Sequence, residues 1–395
     1  MNIAFCYDSV IPERGGCETY IADLARRLVK EGHEVHLYAS RWEESALPKE
    51  MVFHKLPPSK TIRFLKPWQF SQRCEKALAE NKHDISMGFN KTWGQEVLYP
   101  LGGLHSASAD HNVRKHASVL VRMGAWLAQR LNPVNWTYAQ IERKQYRSAH
   151  LPTVVANSEM VRGHFRTYLD YPEDRLFVVR NSIDPDRFPQ EQRLAIHQRQ
   201  REAWKLSPSD IVAVFIARNY KLKGLAPLLK AVRTLIHEQV FSNRSWFQLV
   251  VAGSSKNDEY ERLARKLDIA DRVRFVGSCA DISEAFFTAD FLVHPTFYDP
   301  CSLVVLEALA CGVPVITTRY NGAAELMHPP QEGFVINDPH NDVELSTAMG
   351  ELLDHDKRAA CSKAARESAT DWTFEQHYQQ LMRVFEDVVR RKQAA

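Results

Sequence analysis

Two carboxylates, Asp299 and Glu307, stand eight residues apart in the segment FYDPCSLVVLEALACGVP, which spans residues 297–314. Glu307 lies inside an almost wholly apolar run, where burial of an unpaired charge would be costly. A ligand with vicinal hydroxyl groups would satisfy this carboxylate by donating hydrogen bonds to it. The alternative is a core glutamate that a buried arginine or backbone amides satisfy.

The same segment predicts the helix that would position these carboxylates. Asp299 suits the N-cap, Pro300 the first helical position and Gly312 the C-terminal stop. A helix that starts at Asp299 would separate the two carboxylates by about 12 Å along its axis. One ligand that contacts both must therefore be about as long as a sugar joined to a nucleotide ribose. The backbone amides left free at the start of this helix would be those of Cys301, Ser302 and Leu303.

Basic residues in a second segment, FIARNYKLKGLAPLLKA (215–231), could neutralise a diphosphate. Arg218 and Lys223 follow a predicted strand and precede a predicted helix, which puts them at the ligand-binding edge of a parallel sheet. Arg218 offers a fork of donors and Lys223 a point charge, and phosphate accepts hydrogen bonds from both. Solvated surface cations are the alternative.

Adjacent glycines, Gly15 and Gly16, stand in the segment DSVIPERGGCETY just before a predicted helix. They would let backbone N–H groups approach an anionic ligand closely, and an ordinary turn is the alternative. The dinucleotide pattern G-x-G-x-x-G is absent from this turn, so an oxidoreductase is the weakest functional class. No histidine and cysteine ligand cluster is apparent, and no metal is expected.

Strands and amphipathic helices alternate along the chain in two series. The first has strands at 2–8 and 33–40 around a helix at 17–32, and the second has strands at 211–217, 247–253, 273–277, 289–295 and 314–318, with helices near 223–238, 257–268 and 300–311. This alternation predicts an α/β fold with two doubly wound parallel-sheet domains. A turn-rich linker at 178–193 divides them into 1–180 and 181–372, and a helix at 373–395 is expected to pack back onto the first. We expect the ligand beyond the carboxyl ends of the strands, in a cleft between the domains.

The composition is that of a soluble globular protein. The 395 residues are 45% hydrophobic and 25% charged, and the formal charge of +3 is too small to indicate nucleic acid as a partner. Seven scattered cysteines without a C-x-x-C pair favour a reducing compartment. No secretory signal and no run near the ~18 apolar residues of a membrane span is apparent. These features predict a cytoplasmic protein that at most touches a membrane surface.

Two segments of the first half combine basic and apolar side chains. They are KTIRFLKPWQF (60–70) and VRKHASVLVRMGAWLAQRLNPVNW (113–136), and the second has a helical period. Such segments can lie on anionic bilayers. The alternative is a solvated helix whose apolar side belongs to the core.

The motifs together resemble a known family. The D-x7-E pattern followed by ALACGVPVITT is similar to the E-x7-E signature of the retaining glycosyltransferases of family 4, which have the GT-B fold of two Rossmann-like domains. GGCETYIADLARRLVKEGHEVHLY, VVANSEMV, RNSIDPDRF, ARNYKLKG and DRVRFVG resemble further family segments in the same order. GFNKTWGQEVLYPLGGLH (88–105) looks most like the branch that contains lipopolysaccharide core glucosyltransferases.

The resemblance implies a role for each matching position. Gly15 and Gly16 would lie near the diphosphate and acceptor, and His105 at the reacting sugar. Arg218 and Lys223 would bind the diphosphate. The remaining positions would bind the rest of the donor: Asp299 with the amides of Cys301, Ser302 and Leu303 the sugar, Glu307 the ribose, and Val276 and Gly277 the base. This sequence departs from the family pattern at Asp299 (usually Glu), at Cys301-Ser302 (often Gly-Phe), and at Ser182 and Asn321 (often Gly).

The family resemblance also implies the reaction. It would be transfer of a hexose, with glucose favoured, from a nucleotide sugar such as UDP-glucose to a glycolipid or lipopolysaccharide-core acceptor. The anomeric configuration would be retained by front-face attack, without a cofactor or metal, beside the inner membrane. Two alternatives stay open: a nucleotide-sugar 2-epimerase of the same fold, and a non-catalytic nucleotide-sugar-binding protein.

Overall fold

The chain forms two compact units in a computed structural model that describes residues 1–148, 150–238, 247–253, 257–279 and 281–394. The N-terminal unit contains Met1–Arg180 together with Glu375–Ala395, and the C-terminal unit contains Asn181–Phe374. The boundary between the two units, at Arg180 and Asn181, therefore falls within the turn-rich segment 178–193.

The N-terminal unit has a seven-stranded parallel sheet with strand order β5-β3-β1-β6-β7-β8-β9, and a separate parallel pair of β2 and β4. Its strands are β1 Asn2–Cys6, β2 Ser9–Val10, β3 Glu34–Ala39, β4 Arg41–Trp42, β5 Val52–Lys55, β6 Ile85–Phe89, β7 Val97–Tyr99, β8 Thr153–Ala156 and β9 Leu176–Val178. Its first six helices are α1 Gly16–Lys30, α2 Lys66–Ala79, α3 His105–Arg114, α4 Val119–Leu131, α5 Pro133–Tyr146 and α6 Glu159–Leu169.

The C-terminal unit has a six-stranded parallel sheet with strand order β12-β11-β10-β13-β14-β15. Its strands are β10 Ile211–Ala217, β11 Phe247–Gly253, β12 Val273–Gly277, β13 Phe291–His294, β14 Val315–Thr318 and β15 Gly333–Ile336. Its helices are α7 Arg193–Ala203, α8 Leu225–Glu238, α9 Asp258–Lys266, α10 Ile282–Thr288, α11 Leu303–Ala310, α12 Asp342–Glu351 and α13 His355–Ser368, and the last helix of the chain is α14 Phe374–Ala394.

The central strand β10 shows why these strands read as continuous apolar runs. Val212 and Val214 pack into a core on one side of the sheet, whereas Ala213 and Phe215 pack into a core on the other side. Successive side chains of a strand point to opposite faces, so a strand covered on both faces is apolar at nearly every position. The predicted α/β fold with two doubly wound parallel sheets is confirmed.

The chain ends on α14, which is fixed to the N-terminal unit by a buried histidine. Nδ1 of His377 donates to the carbonyl oxygen of Arg180 at 2.7 Å, so Nε2 accepts from the hydroxyl of Tyr20, also at 2.7 Å. Burial lowers the pKa of His377 to about 4, and the hydrogen bond to Arg180 acts in the opposite direction. The imidazole is therefore neutral at pH 7.

The helical period predicted for 113–136 is confirmed, and the segment is divided among three helices. α3 ends at Arg114, α4 covers Val119–Leu131, and α5 begins at Pro133. Asn132 is the N-cap of α5, where its side chain accepts from the amide of Val134 at 2.9 Å, and Pro133 cannot continue the preceding helix. Within the described ranges, no helix has the length and apolar character needed to cross a bilayer.

Candidate active site

The loop between β10 and α8, residues 218–224, carries the predicted diphosphate ligands and is called the donor loop below. It packs against the segment after β13, where the amide of Phe297 donates to the carbonyl oxygen of Leu222 at 2.9 Å. Gly224 has a φ of +84°, and a Cβ there would overlap the carbonyl oxygen of Pro295. Only glycine fits this conformation and this approach. The loop presents Arg218 to solvent, whereas Lys223 is half-buried.

Lys223 and Asp299 form an ion pair within the C-terminal unit. Nζ of Lys223 lies 2.5 Å from Oδ2 of Asp299 and donates to the carbonyl oxygen of Tyr298 at 3.2 Å. The two side chains are 20% and 14% exposed, so water screens the pair only partly. Burial acts to raise the pKa of Asp299, but the Lys223 ammonium and the neighbouring His294 outweigh it and hold that pKa well below its usual range. Asp299 is therefore a carboxylate at neutral pH.

His294 lies beside this pair at the end of β13. Its Nε2 atom is 3.6 Å from Oδ2 of Asp299, which is longer than a good hydrogen bond. Burial lowers the pKa of His294, although Asp299 acts in the opposite direction. A neutral imidazole follows, and Lys223 is the cation that balances Asp299.

The prediction that Asp299 caps the following helix is wrong. The helix α11 begins at Leu303 with Ser302 as its N-cap residue. The backbone of Asp299 instead pairs with the segment around Asn321, since its amide donates to Tyr320 and its carbonyl accepts from Gly322, both at 2.9 Å. The amide of Ser302 is also occupied, because it donates to Oδ1 of Asn321 at 3.1 Å. The axial estimate of the distance between Asp299 and Glu307 does not hold, because their connection is only partly helical.

Glu307 is not sealed in the core, which corrects the premise that its charge must be buried. It lies on the half-buried face of α11 with Leu303 and Val304, whereas Leu306 and Ala308 on the other faces have no exposure. Residues three and four apart share a helix face, so one partly open stripe interrupts an otherwise apolar helix. Glu307 is therefore partly exposed to solvent.

The other predicted donor residues lie at the same edge of the sheet. Val276 and Gly277 end β12, and Gly277 has a φ of +75°. Cys301 is buried, and Leu303 is half-buried in the first turn of α11. Arg218 and Asp299 thus follow the carboxyl ends of β10 and β13, and Gly277 is the last residue of the parallel strand β12, as expected for ligand contacts in such sheets.

The N-terminal unit has its own cavity of about 520 Å³ at the carboxyl ends of β1 and β6, called the N-terminal cavity below. The described residues that line it include His105, Gly102 and Gly103, but not Gly15 or Gly16. Gly15 is the N-cap of α1 and Gly16 its first residue. Glu18, two residues after Gly16, lines the same cavity as His105, so the turn that contains the glycine pair is next to a lining residue.

His105 begins α3, and a residue that the sequence analysis missed holds this helix start. The buried Glu142 of α5 accepts from the amide of His105 at 2.5 Å, and from the amide and hydroxyl of Ser106. Burial and, to a smaller extent, the nearby Lys91 lower the pKa of His105 to about 4, and a hydrogen bond to the backbone of Asn135 acts in the opposite direction. The ring stands edge-on to Tyr138, with centroids 5.3 Å apart. His105 is therefore a neutral group at pH 7, able to accept or donate one hydrogen bond at each nitrogen.

The described residues contain no group of three or more His, Cys, Asp or Glu side chains placed to hold a metal ion. The chain does contain two D-x-D triplets, at 184–186 and 354–356. Asp184 accepts from the amide of Asp186 at 3.0 Å, and Asp354 accepts from the amide of Lys357 at 2.9 Å. Both aspartates are thus helix caps.

Two doubly wound parallel α/β units in one chain are the arrangement of the GT-B fold, and solved structures share it. The crystal structure of WaaG, a glycosyltransferase involved in lipopolysaccharide biosynthesis, matches with a TM-score of 0.79 at 23% identity, over 98% of this chain and 99% of that one. The crystal structure of Anabaena Alr3699/HepE in complex with UDP-glucose matches with a TM-score of 0.70 at 17% identity, over 98% of this chain and 100% of that one.

Sequence comparisons define the family. The model "Glycosyltransferase Family 4" matches residues 14–187, and "Glycosyl transferases group 1" matches residues 197–368. The lipopolysaccharide glucosyltransferase WaaG of Escherichia coli strain K12 is 24% identical over 89% of this chain and 90% of its own length. The D-inositol 3-phosphate glycosyltransferase 2 of Catenulispora acidiphila is 26% identical over 88% of this chain and 84% of its own length. The chain belongs to the family 4 and group 1 glycosyltransferases that these two models describe.

Proposed function

We propose that this glycosyltransferase moves a hexose, with glucose favoured, from a UDP-linked donor to a glycolipid of the lipopolysaccharide-core type, with retention of the anomeric configuration. The observation that carries the proposal is the half-buried Lys223 ammonium beside the ionised Asp299 at the carboxyl edge of the C-terminal sheet. Support for the donor and acceptor comes from the relatives, one named a lipopolysaccharide glucosyltransferase and one solved with UDP-glucose.

The chemistry requires stabilisation of a departing nucleoside diphosphate. Lys223 and Arg218 would place positive charge where the phosphate charge grows, and a fixed cation lowers such a barrier without reorganisation during the reaction. Asp299 would contact the sugar hydroxyls, and Glu307 the ribose. These cations supply charge that a metal supplies elsewhere, so we propose a metal-independent reaction.

The test is transfer by the purified chain. It is incubated with UDP-glucose, UDP-galactose or GDP-mannose and a lipopolysaccharide truncated at its inner core, with and without EDTA. We expect UDP release with UDP-glucose, insensitivity to EDTA, and an α-anomer in the product by proton NMR. A β-anomer contradicts retention, and an epimerised donor without acceptor supports the epimerase. Binding of UDP-glucose with neither transfer nor hydrolysis supports a non-catalytic role.

We also propose that α4 rests on the inner face of the cytoplasmic membrane. Leu120 and Leu131 on this helix are 79% and 75% exposed. The segment 113–136 contains four Lys or Arg residues and no Asp or Glu, so its charge complements an anionic bilayer. Further exposed apolar side chains on α4 and at the start of α5 are Val119, Val121, Met123, Trp126, Leu127 and Trp136.

Co-sedimentation with phosphatidylglycerol vesicles at low salt tests this contact. The double variant Leu120→Ser, Leu131→Ser should lose most of the bound fraction, because each burial of a leucine contributes about 1.5–3 kcal/mol. Leu194→Ser is the matched control, since Leu194 is 76% exposed but lies on α7 in the C-terminal unit. Equal binding by the wild type and the double variant would contradict the role of α4.

A further inference from the structure

Lys91 is a cation in the wall of the N-terminal cavity, and none of the carboxylates among the described residues forms an ion pair with it. It is half-buried, and its Nζ atom lies 4.6 Å from the ring centroid of Tyr138. In the described part of the chain, no carboxylate oxygen lies within 4 Å of that nitrogen. Lysines removed from water are usually paired with an anion. The missing counter-charge points to the cavity.

Buried side chains hold the backbone on both sides of Lys91 and so fix the position from which its side chain extends. The side-chain amide of the buried Gln145 donates to the carbonyl oxygens of Asn90 and Thr92, at 2.5 and 2.6 Å. The hydroxyl of the buried Ser71 donates to the carbonyl oxygen of Lys91 at 2.5 Å. Three successive carbonyl groups are thus tied to α2 and α5, as expected of a pre-organised binding site.

Burial lowers the pKa of Lys91 to about 8, and Glu142 acts in the opposite direction. The oxygens of Glu142 are already engaged by the amides at the start of α3, so this carboxylate is not free to approach. Lys91 remains mostly protonated at pH 7, and an anion beside it would raise its pKa again.

In the lining of the N-terminal cavity, the basic and the acidic side chains come from different elements. Two lining residues are lysines, the exposed Lys66 of α2 and Lys91 in the loop after β6. Asp8 follows β1, and Glu18 lies in the first turn of α1, where it accepts from the hydroxyl of Tyr7 at 3.4 Å. A neutral sugar would need only hydroxyl partners, which Asn135 and Tyr138 in the same lining also offer.

We propose that Lys91 binds an anionic group, a phosphate or a carboxylate, carried by the acceptor saccharide. The proposal rests on the proposed function, because it assumes that the N-terminal cavity receives the acceptor. It adds that the acceptor is a charged sugar, which the transfer reaction alone does not require.

The experiment measures binding of defined sugars to the full chain by isothermal titration calorimetry. All variants carry Lys223→Ala, which removes the half-buried cation of the donor loop and weakens the affinity of that loop for phosphate. The probes are glucose 6-phosphate, glucuronate and glucose. We expect one charged probe to bind at least about tenfold more tightly than glucose, and Lys91→Met to abolish that difference. Lys91→Arg should retain most of it, and Lys30→Met, at an exposed position of α1, should retain all of it.

Each outcome decides the proposal. A phosphate preference or a carboxylate preference that depends on Lys91 identifies the group and supports it. Equal binding of all three probes, or a preference that survives Lys91→Met, overturns it. UDP binding and UDP-glucose turnover are measured separately with the chain that retains Lys223. If UDP does not bind and UDP-glucose is not turned over, the proposed function is refuted. If both occur but the three probes bind equally, only the proposal of a charged acceptor is refuted. If Lys91→Met does not fold, loss of the preference above pH 8 in the parent protein, and its persistence in Lys91→Arg, provide the same test.

Discussion

Lys223 and Asp299 give the sharpest test of the donor site, because each is proposed to contact a different part of one donor. Lys223→Met removes the ammonium and keeps most of the apolar length of the side chain. Asp299→Asn keeps the shape of the side chain and removes its charge. Lys221→Met supplies the matched control, since Lys221 is exposed in the same donor loop.

The geometry sets the size of both effects on UDP binding. Loss of a hydrogen bond to a charged group costs about 1.5–3 kcal/mol, so Lys223→Met should weaken UDP binding by about tenfold to a hundredfold. Asp299 lies 2.5 Å from Nζ of Lys223, so a diphosphate bound to this ammonium also approaches the carboxylate. Two negative charges about 5 Å apart repel by about 3 kcal/mol at an effective dielectric constant of about 20, and solvent reduces this value. Asp299→Asn should therefore leave UDP affinity unchanged or raise it by up to about tenfold.

Isothermal titration calorimetry with UDP at pH 7 measures these affinities, and thermal unfolding without ligand checks that each variant folds. UDP lacks the sugar, so its affinity reports on the nucleoside diphosphate without the sugar contacts proposed for Asp299. A parallel titration with UDP-glucose should show a loss for Asp299→Asn that UDP does not show. The reasoning is refuted if Lys223→Met binds UDP as tightly as Lys221→Met does. It is also refuted if Asp299→Asn weakens UDP binding as much as Lys223→Met, because the pair would then only stabilise the fold.

Three further variants test other parts of the molecule. Glu307→Gln should weaken UDP binding by about tenfold while the free energy of unfolding changes by less than about 1 kcal/mol; unchanged UDP affinity in calorimetry would make Glu307 a structural residue. The folded-state pKa of His377, about 4, lies below its unfolded value, so its stabilisation is present above pH 6.5 and is lost as the pH falls through 4. Urea unfolding at pH 7 and pH 4.5 should show a loss of about 2–3 kcal/mol from this site in the wild type, and a smaller total loss in His377→Gln; equal losses would contradict the assignment. Gly224→Ala should destabilise the C-terminal unit by about 1–3 kcal/mol and lower UDP affinity, whereas the control Gly163→Ala, where a Cβ meets nothing within 4 Å, should do neither.

The strands of the C-terminal unit were predictable because their burial requires runs of apolar residues, which are visible in the sequence. The predictions at 211–217, 247–253 and 273–277 coincide with β10, β11 and β12. Each is a mainly apolar run that ends at a glycine or alanine where the chain leaves the sheet, because packing on both faces of a strand favours apolar side chains. The exceptions inside these runs are Gln248 in β11 and Arg274 in β12. The segment 113–136 has no sequence feature that reveals its burial. Its helical period is real, but the period does not reveal that α4 ends before Pro133 or that its apolar side faces away from the core.

The walls of the N-terminal cavity depend on contacts that no local pattern records. Glu142 reaches the amide of His105 across 37 residues, and Gln145 reaches the carbonyl of Asn90 across 55. Both polar side chains lie on α5. In a helix, a polar residue at such a position is ordinarily predicted to be exposed to solvent. Their burial follows from the packing of α5 against the loops after β6 and β7, and this packing is set by the whole sheet. A histidine in a recognisable motif was predictable, but the groups that hold it were not.

Asp299 shows how a local rule and a distant contact compete for one carboxylate. Its position before Pro300 suits a helix cap, which contributes about 1 kcal/mol. Loss of one partner from a largely buried ion pair costs about 3–5 kcal/mol, so pairing with Lys223 is the stronger use of the charge. The backbone bridge to Asn321 then holds the shorter aspartate where it reaches Nζ of Lys223, and the amide of Ser302 takes its hydrogen bond from Asn321 instead. The helix accordingly begins later, at Leu303, because a lysine 76 residues away along the chain determines where the carboxylate points.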